Sequence, residues 1–145
     1  MIFDPKLVTP QKVDFVQINK ILRKAYKGVK SAEQVTEPDS KFELAYGAML
    51  KTAQALMRSY GYRTKADRGH HRVLVDYARD KLGANFANLT STYNQIRKKR
   101  NKLEYDVDSV TMTEARSATA IAEEFYKAVE QKISEDNPQQ KLWKP

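Results

Sequence analysis

The chain has 145 residues, 41% of them hydrophobic, and sets 26 Lys and Arg against 18 Asp and Glu for a formal charge of +8. That length suits one domain around one core, and the positive balance favours an acidic partner such as RNA, DNA or an acidic protein surface. The absence of cysteine excludes disulfide frameworks, thiolate metal sites and cysteine nucleophiles, while the lack of an eighteen-residue apolar run or a leader-like start points to a soluble, unexported, cytoplasmic protein with no membrane attachment.

In chain order, Thr9 followed by Pro10 reads as a helix start, because proline suits the first helical position where its missing N–H has no partner. Ile18, Leu22, Ala25 and Val29 then trace one face. A second helix is expected from near Asp39 or Ser40, through Leu44, Ala45, Ala48 and Leu56, to Gly61, which can take the left-handed C-terminal conformation. Gly47 and the alanines suit close helix packing. Asp67 is placed to cap a third helix through Val73, Leu74, Tyr77, Ala78 and Leu82, ended by Gly83, and a fourth runs from about Ala84 to Tyr105. Thr111 and Glu114 stand at capping-box spacing ahead of Ala115, Ala118, Ala122, Phe125, Val129 and Ile133, which recur every three or four residues. Residues 1–136 therefore read as a single domain, an all-α bundle of about five helices without a sheet, and 137–145 as a loose, flexible tail. Met49, Met57 and the aromatic residues on helical stripes belong to the packing.

The fourth helix carries an anomaly. Leu89, Tyr93, Ile96 and Leu103 mark an apolar stripe, and the step between 96 and 103 is filled by Arg100. An inward arginine must find carboxylates, phosphates or a wet groove, since an unpaired buried charge costs several kcal/mol. Glu104, four residues on, offers a local explanation of small energetic weight. Arg97, Asn101 and Tyr105 share a neighbouring face, and the whole stretch "RKKRNKLEYD" packs five basic residues into six positions.

Charge is unevenly spread. Residues 1–103 hold 21 basic and 9 acidic groups, whereas residues 104–136 hold 3 and 9, so the last helix is an acidic face on a basic body. Basic clusters fall at Lys20, Arg23, Lys24, Lys27 and Lys30, at Arg63, Lys65, Arg68 and Arg72, and at Arg97 through Lys102. Beside Tyr26, Tyr60 and Tyr62 they resemble a backbone-tracking surface with stacking groups, although any one cluster alone is an ordinary solvated helix face. No metal-ligand spacing, glycine-rich phosphate loop or nucleophile elbow occurs, so no metal and no cofactor are expected. His70 and His71 point about 100° apart on a helix and do not suit one shared metal. One of them serves as a base only if the fold brings it beside Arg100; otherwise they are surface or capping residues.

Several segments together resemble HEPN domains. "LAYGAMLKTAQALMRSYGYR" is similar to their second helix, "GHHRVLVDYARDKLG" to the third, "RKKRNKLEYD" to the signature and "TMTEARSATAIAEEFYKAVEQKI" to the final helix, over roughly residues 15–133. The resemblance implies a small bundle that usually forms a homodimer, with its arginine motif facing the symmetry mate across a groove. Many members are metal-independent ribonucleases, often toxins paired with a small nucleotidyltransferase antitoxin; others bind RNA or act as scaffolds without catalysis.

In the nuclease members the motif is an arginine, four to six residues, then a histidine. Arg100 and Asn101 match its start, and Tyr105 stands where histidine is expected. A phenol titrates near pH 10 and is a poor general base at neutrality, but it can donate a hydrogen bond to phosphate or accept a nucleotidyl group, as tyrosines near this motif do in some relatives. The resemblance thus implies an RNA-directed, toxin-like ribonuclease in which Arg100 clamps the scissile phosphate, Asn101 orients it and Tyr105 replaces the histidine. Arg97, Lys98, Lys99, Lys102, Arg68 and Arg72 would hold the RNA backbone, with His70, His71 and Glu104 as additional candidates. The alternative is a non-catalytic dimeric interaction module that binds a nucleotidyltransferase or antitoxin partner through the same groove.

Overall fold

The structure, a computed structural model, describes residues 6–65, 70–105 and 109–145, and for residues 104 and 105 the backbone alone. It is an all-α bundle of five α-helices, α1 (Phe15–Gln34), α2 (Pro38–Ser59), α3 (His70–Leu82), α4 (Ala87–Tyr105) and α5 (Met112–Asp136), with one small ribbon of two three-residue strands, β1 (Val8–Pro10) and β2 (Tyr62–Thr64).

Helix α2 runs through the middle and touches the other four. Twelve of its 22 residues are buried, so it is covered on most sides, and its small residues Ala45, Ala48, Ala53 and Ala55 let neighbours approach closely. The close approach sits at Gly28 of α1 rather than at Gly47. A Cβ at 28 would lie 3.2 Å from that of Ala48, while one at 47 would meet nothing within 4 Å. Helix α1 buries Ile18, Leu22, Ala25, Val29 and Ala32 in the expected single stripe. Helix α5 buries all six residues of its expected stripe, with alanines in its first half and Phe125, Val129 and Ile133 further on.

Helix ends follow their capping chemistry, which moves two of the expected boundaries. The first helix begins at Phe15, not after Thr9, because Asp14 Oδ1 accepts the N–H groups of Val16 and Gln17 at 3.0 and 3.4 Å. Thr9 and Pro10 instead lie in the ribbon, opposite Arg63 and Tyr62, and proline is tolerated there because both strands are edges. The second helix begins one turn's fraction early, at Pro38, since the Glu37 carboxylate takes the N–H groups of Asp39 and Ser40 at 3.1 and 2.6 Å. The Ser40 backbone bond chiefly holds that carboxyl below its usual range. Gly61 and Gly83, at φ of +86° and +81°, follow α2 and α3 as expected. Ala84–Phe86 form a 3₁₀ turn ahead of α4 rather than its first turn. The capping box is complete, with Thr111 and Glu114 each accepting the other's backbone N–H at 3.1 Å. The proposed Asp67 cap lies outside the described residues.

Two polar links tie these ends to α2. Lys41, only 7% exposed, donates to the carbonyls of Ala32 at 2.7 Å and Glu33 at 3.3 Å. An ammonium there satisfies carbonyls that the end of α1 leaves without partners and opposes the negative end of its dipole. Asp39 Oδ1 accepts the Val110 N–H at 2.9 Å, anchoring the start of α5 to the first turn of α2.

The segment 137–145 has no helical period, but it is seated rather than loose. Leu142 is 7% exposed, Trp143 packs 5.6 Å from the Tyr26 ring, and the Trp143 N–H donates to Asn19 Oδ1 at 2.7 Å. An isolated Leu-Trp pair in a polar sequence shows no periodicity, yet it brings enough apolar area to dock. Leu142→Ala should therefore cost about 2–3 kcal/mol in urea denaturation. A loss below about 0.5 kcal/mol would mean that the segment does not stay on the bundle.

Candidate functional site

Helix α4 presents the signature. It is held by Tyr93 and Ile96, both buried, with Leu89 and Leu103 partly buried, and Arg100 falls on the same stripe with its side chain 23% exposed. Its partner comes from α2. Arg100 Nε lies 3.6 Å from Glu43 Oε1, and the guanidinium carbon is 5.6 Å from the centre of the Tyr46 ring, within cation–π range. The expected partner, Glu104, has a side chain outside the described residues.

Tyr46 extends the cluster to a third helix. Its hydroxyl is 2.9 Å from His71 Nδ1, at the start of α3, and the two rings are 5.7 Å apart. A phenol can donate to neutral imidazole or accept from imidazolium, so this bond can hold the ring in either protonation state. Behind it, the Tyr93 ring lies 6.4 Å from Tyr46 and 4.9 Å from Phe125. The Tyr93 hydroxyl is buried without a hydrogen-bond partner among the described residues. Burial pushes its pKa well above the usual phenol value, Tyr46 adds to the rise, and Arg97 opposes it. Arg100, Tyr46, His71 and Glu43 thus form a chain of contacts across α2, α3 and α4: a cation, a phenol, an imidazole and a carboxylate.

The remaining sequence candidates divide. Asn101, one position beyond Arg100, is half-buried and makes no side-chain hydrogen bond to a described residue. Arg97 Nε donates to Asn94 at 3.0 Å. Lys98 and Lys102 are exposed, while Lys99 lies 3.6 Å from Glu114 across the gap to α5. Arg72 sits on the exposed side of α3, 3.9 Å from Asp76, a surface pair of little energetic weight. His70 turns away from Arg100 and lines a separate cavity. Arg68 and the Tyr105 side chain lie outside the described residues.

Two of the three proposed stacking residues are otherwise engaged. Tyr26 packs against Tyr126 and Trp143, and Tyr60 donates to Asp136 and packs against Tyr77. Tyr62 is exposed. Met49 and Met57 are core residues.

Sequence reasoning missed Glu43 and Tyr46. Their signal was weak: an acid and a tyrosine three residues apart in an alanine-rich helix, with nothing to tie them to a residue more than fifty positions away. Among the described residues no helix is long and apolar enough to cross a membrane. Compared with protein-family models and with curated protein sequences, the chain has no significant match.

The contacts make two opposite predictions for tyrosine-to-phenylalanine changes. Tyr46→Phe removes the bond to His71 and should destabilise by about 1 kcal/mol. Tyr93→Phe removes an unpartnered buried hydroxyl and should be neutral or stabilising by up to about 1 kcal/mol. Urea denaturation of both variants checks the pair; a Tyr93→Phe loss above about 1 kcal/mol would mean that its hydroxyl is bonded in solution.

Proposed function

We propose that the protein is a HEPN-like RNA-binding protein that cleaves RNA without a metal, with Arg100 as the phosphate clamp and His71 as the imidazole that its signature lacks. The observation that carries this reading is the Arg100–Tyr46–His71 contact chain. It brings an imidazole into the same constellation as the motif arginine, although Tyr105 occupies the motif's histidine position.

In this reading Arg100 stabilises the charge developing on the phosphate, Asn101 orients a phosphate oxygen, and His71, held through Nδ1 by Tyr46, transfers the proton of the attacking hydroxyl. Lys98 and Lys102 hold the strand electrostatically, so affinity falls steeply with salt. A homodimer would close the site. Supporting it, Leu44 is 36% exposed on the open face of α2, and Gly47 next to it leaves room for a close approach. Pairing with a nucleotidyltransferase antitoxin would follow the toxins that the signature resembles.

The Glu43 carboxylate favours a second reading. It already engages Arg100, as suits a non-catalytic dimeric module whose groove receives a nucleotidyltransferase or antitoxin partner. Glu43→Gln separates the two, because removing a competing anion should tighten RNA binding only if phosphate takes its place.

Cleavage of labelled single-stranded RNA in excess EDTA tests the proposal. Arg100→Ala and His71→Asn should each lower the rate roughly 10²- to 10³-fold, while Tyr105→Phe retains most of it. Rates unchanged in both variants would overturn the nuclease assignment. RNA bound but never cleaved would leave a binding module, and no binding even at low salt would favour the protein-partner reading.

A further inference from the structure

A second basic constellation lies on the other side of the start of α3. A cavity of about 360 Å³ opens between the ends of α1 and α2, strand β2 and the first turns of α3. Ile21, Met57 and Leu74 line its apolar part, and Arg58, Arg63 and His70 supply its charged and titratable groups. No Asp or Glu is among its lining residues. Arg58 donates to the neutral side chain of Gln17 at 2.9 Å, and Arg63 to the carbonyl of Thr64 at 3.5 Å. Neither guanidinium has a carboxylate partner among the described residues.

The arrangement is built by the chain's path rather than left over from packing. Gly61, at φ +86°, turns the chain back after α2, and pairing of β2 with β1 fixes the strand that carries Arg63. Two arginines are thereby brought to one cavity with an imidazole beside them. Like charges around one concave site repel unless an anion neutralises them, and guanidinium groups match the oxygens of phosphate in geometry and charge. The apolar lining, buried at Met57 and Leu74, gives an attached organic body a place to desolvate. A volume of about 360 Å³ is at the small end of ligand sites, which suits one nucleotide and not a strand.

We infer that this cavity binds a small phosphate monoester with a compact planar body, a mononucleotide in chemical class, with the phosphate between Arg58 and Arg63 and the body against Met57 and Leu74. The site is separate from Arg100 and needs neither catalysis nor a partner.

Calorimetric titration of the full chain with AMP, adenosine, inorganic phosphate and a 5′-phosphorylated oligonucleotide tests it. AMP should bind at submillimolar concentration and at least about tenfold more tightly than adenosine or phosphate alone. Arg58→Gln and Arg63→Gln, both at solvent-accessible positions and checked for unchanged urea midpoints, should each weaken AMP about tenfold, while Arg100→Ala leaves it unchanged. The inference is overturned if AMP fails to bind, if neither arginine variant affects it, or if phosphate alone binds as well. An oligonucleotide that binds far more tightly than AMP and loses that affinity in Arg63→Gln would make the cavity a strand-end site and contradict the small-ligand assignment.

Discussion

The burial of α2 is the constraint on which the rest of the molecule depends. A helix covered by four others has little room for large side chains, which is why alanines recur along it and why α1 meets Ala48 with a glycine. Close packing of α1 and α5 on α2 is therefore specified by small residues, not by a large interlocking core alone. The polar links use the same helix. Glu37 caps it, Lys41 closes the end of α1, and Asp39 fixes the residue before the capping box of α5.

The functional surface is a consequence of that arrangement. Helix α4 is laid against the bundle through a few residues, chiefly Tyr93 and Ile96, so most of its length faces outward with Lys98 and Lys102. Where it meets α2, Arg100 contacts Glu43 and Tyr46, and Tyr46 reaches on to His71. The two adjacent histidines then serve different neighbourhoods. Their rings stand edge to face at 4.3 Å; His71 joins Tyr46, and His70 joins Arg58 and Arg63 in lining the second cavity.

Much of the fold was legible because it rests on local rules. The stripes of α1, α3 and α5, the stops at Gly61 and Gly83 and the Thr111–Glu114 box all follow from spacing within a few residues. The ribbon was not legible, because three-residue strands carry no period and Asp14 outcompeted the Thr9-Pro10 start. Nor was the docking of Leu142 and Trp143, which depends on a surface formed by other helices. At the candidate site, the sequence marked Arg100 as an anomaly through its place on an apolar stripe. Its partners were hidden, since Glu43, Tyr46 and His71 come from two other helices, and a pairing between distant segments leaves no trace in the periodicity of either.

The account centres on the coupling of His71 to Arg100 through Tyr46, and nitrogen-15 NMR of the histidine rings measures it most directly. The neutral form of His71 should carry its proton on Nε2, with Nδ1 accepting from Tyr46, and both Tyr46→Phe and Arg100→Gln should move the His71 signals more than those of His70. A His71 ring whose tautomer and titration are indifferent to both substitutions, in variants that remain folded, would contradict the account.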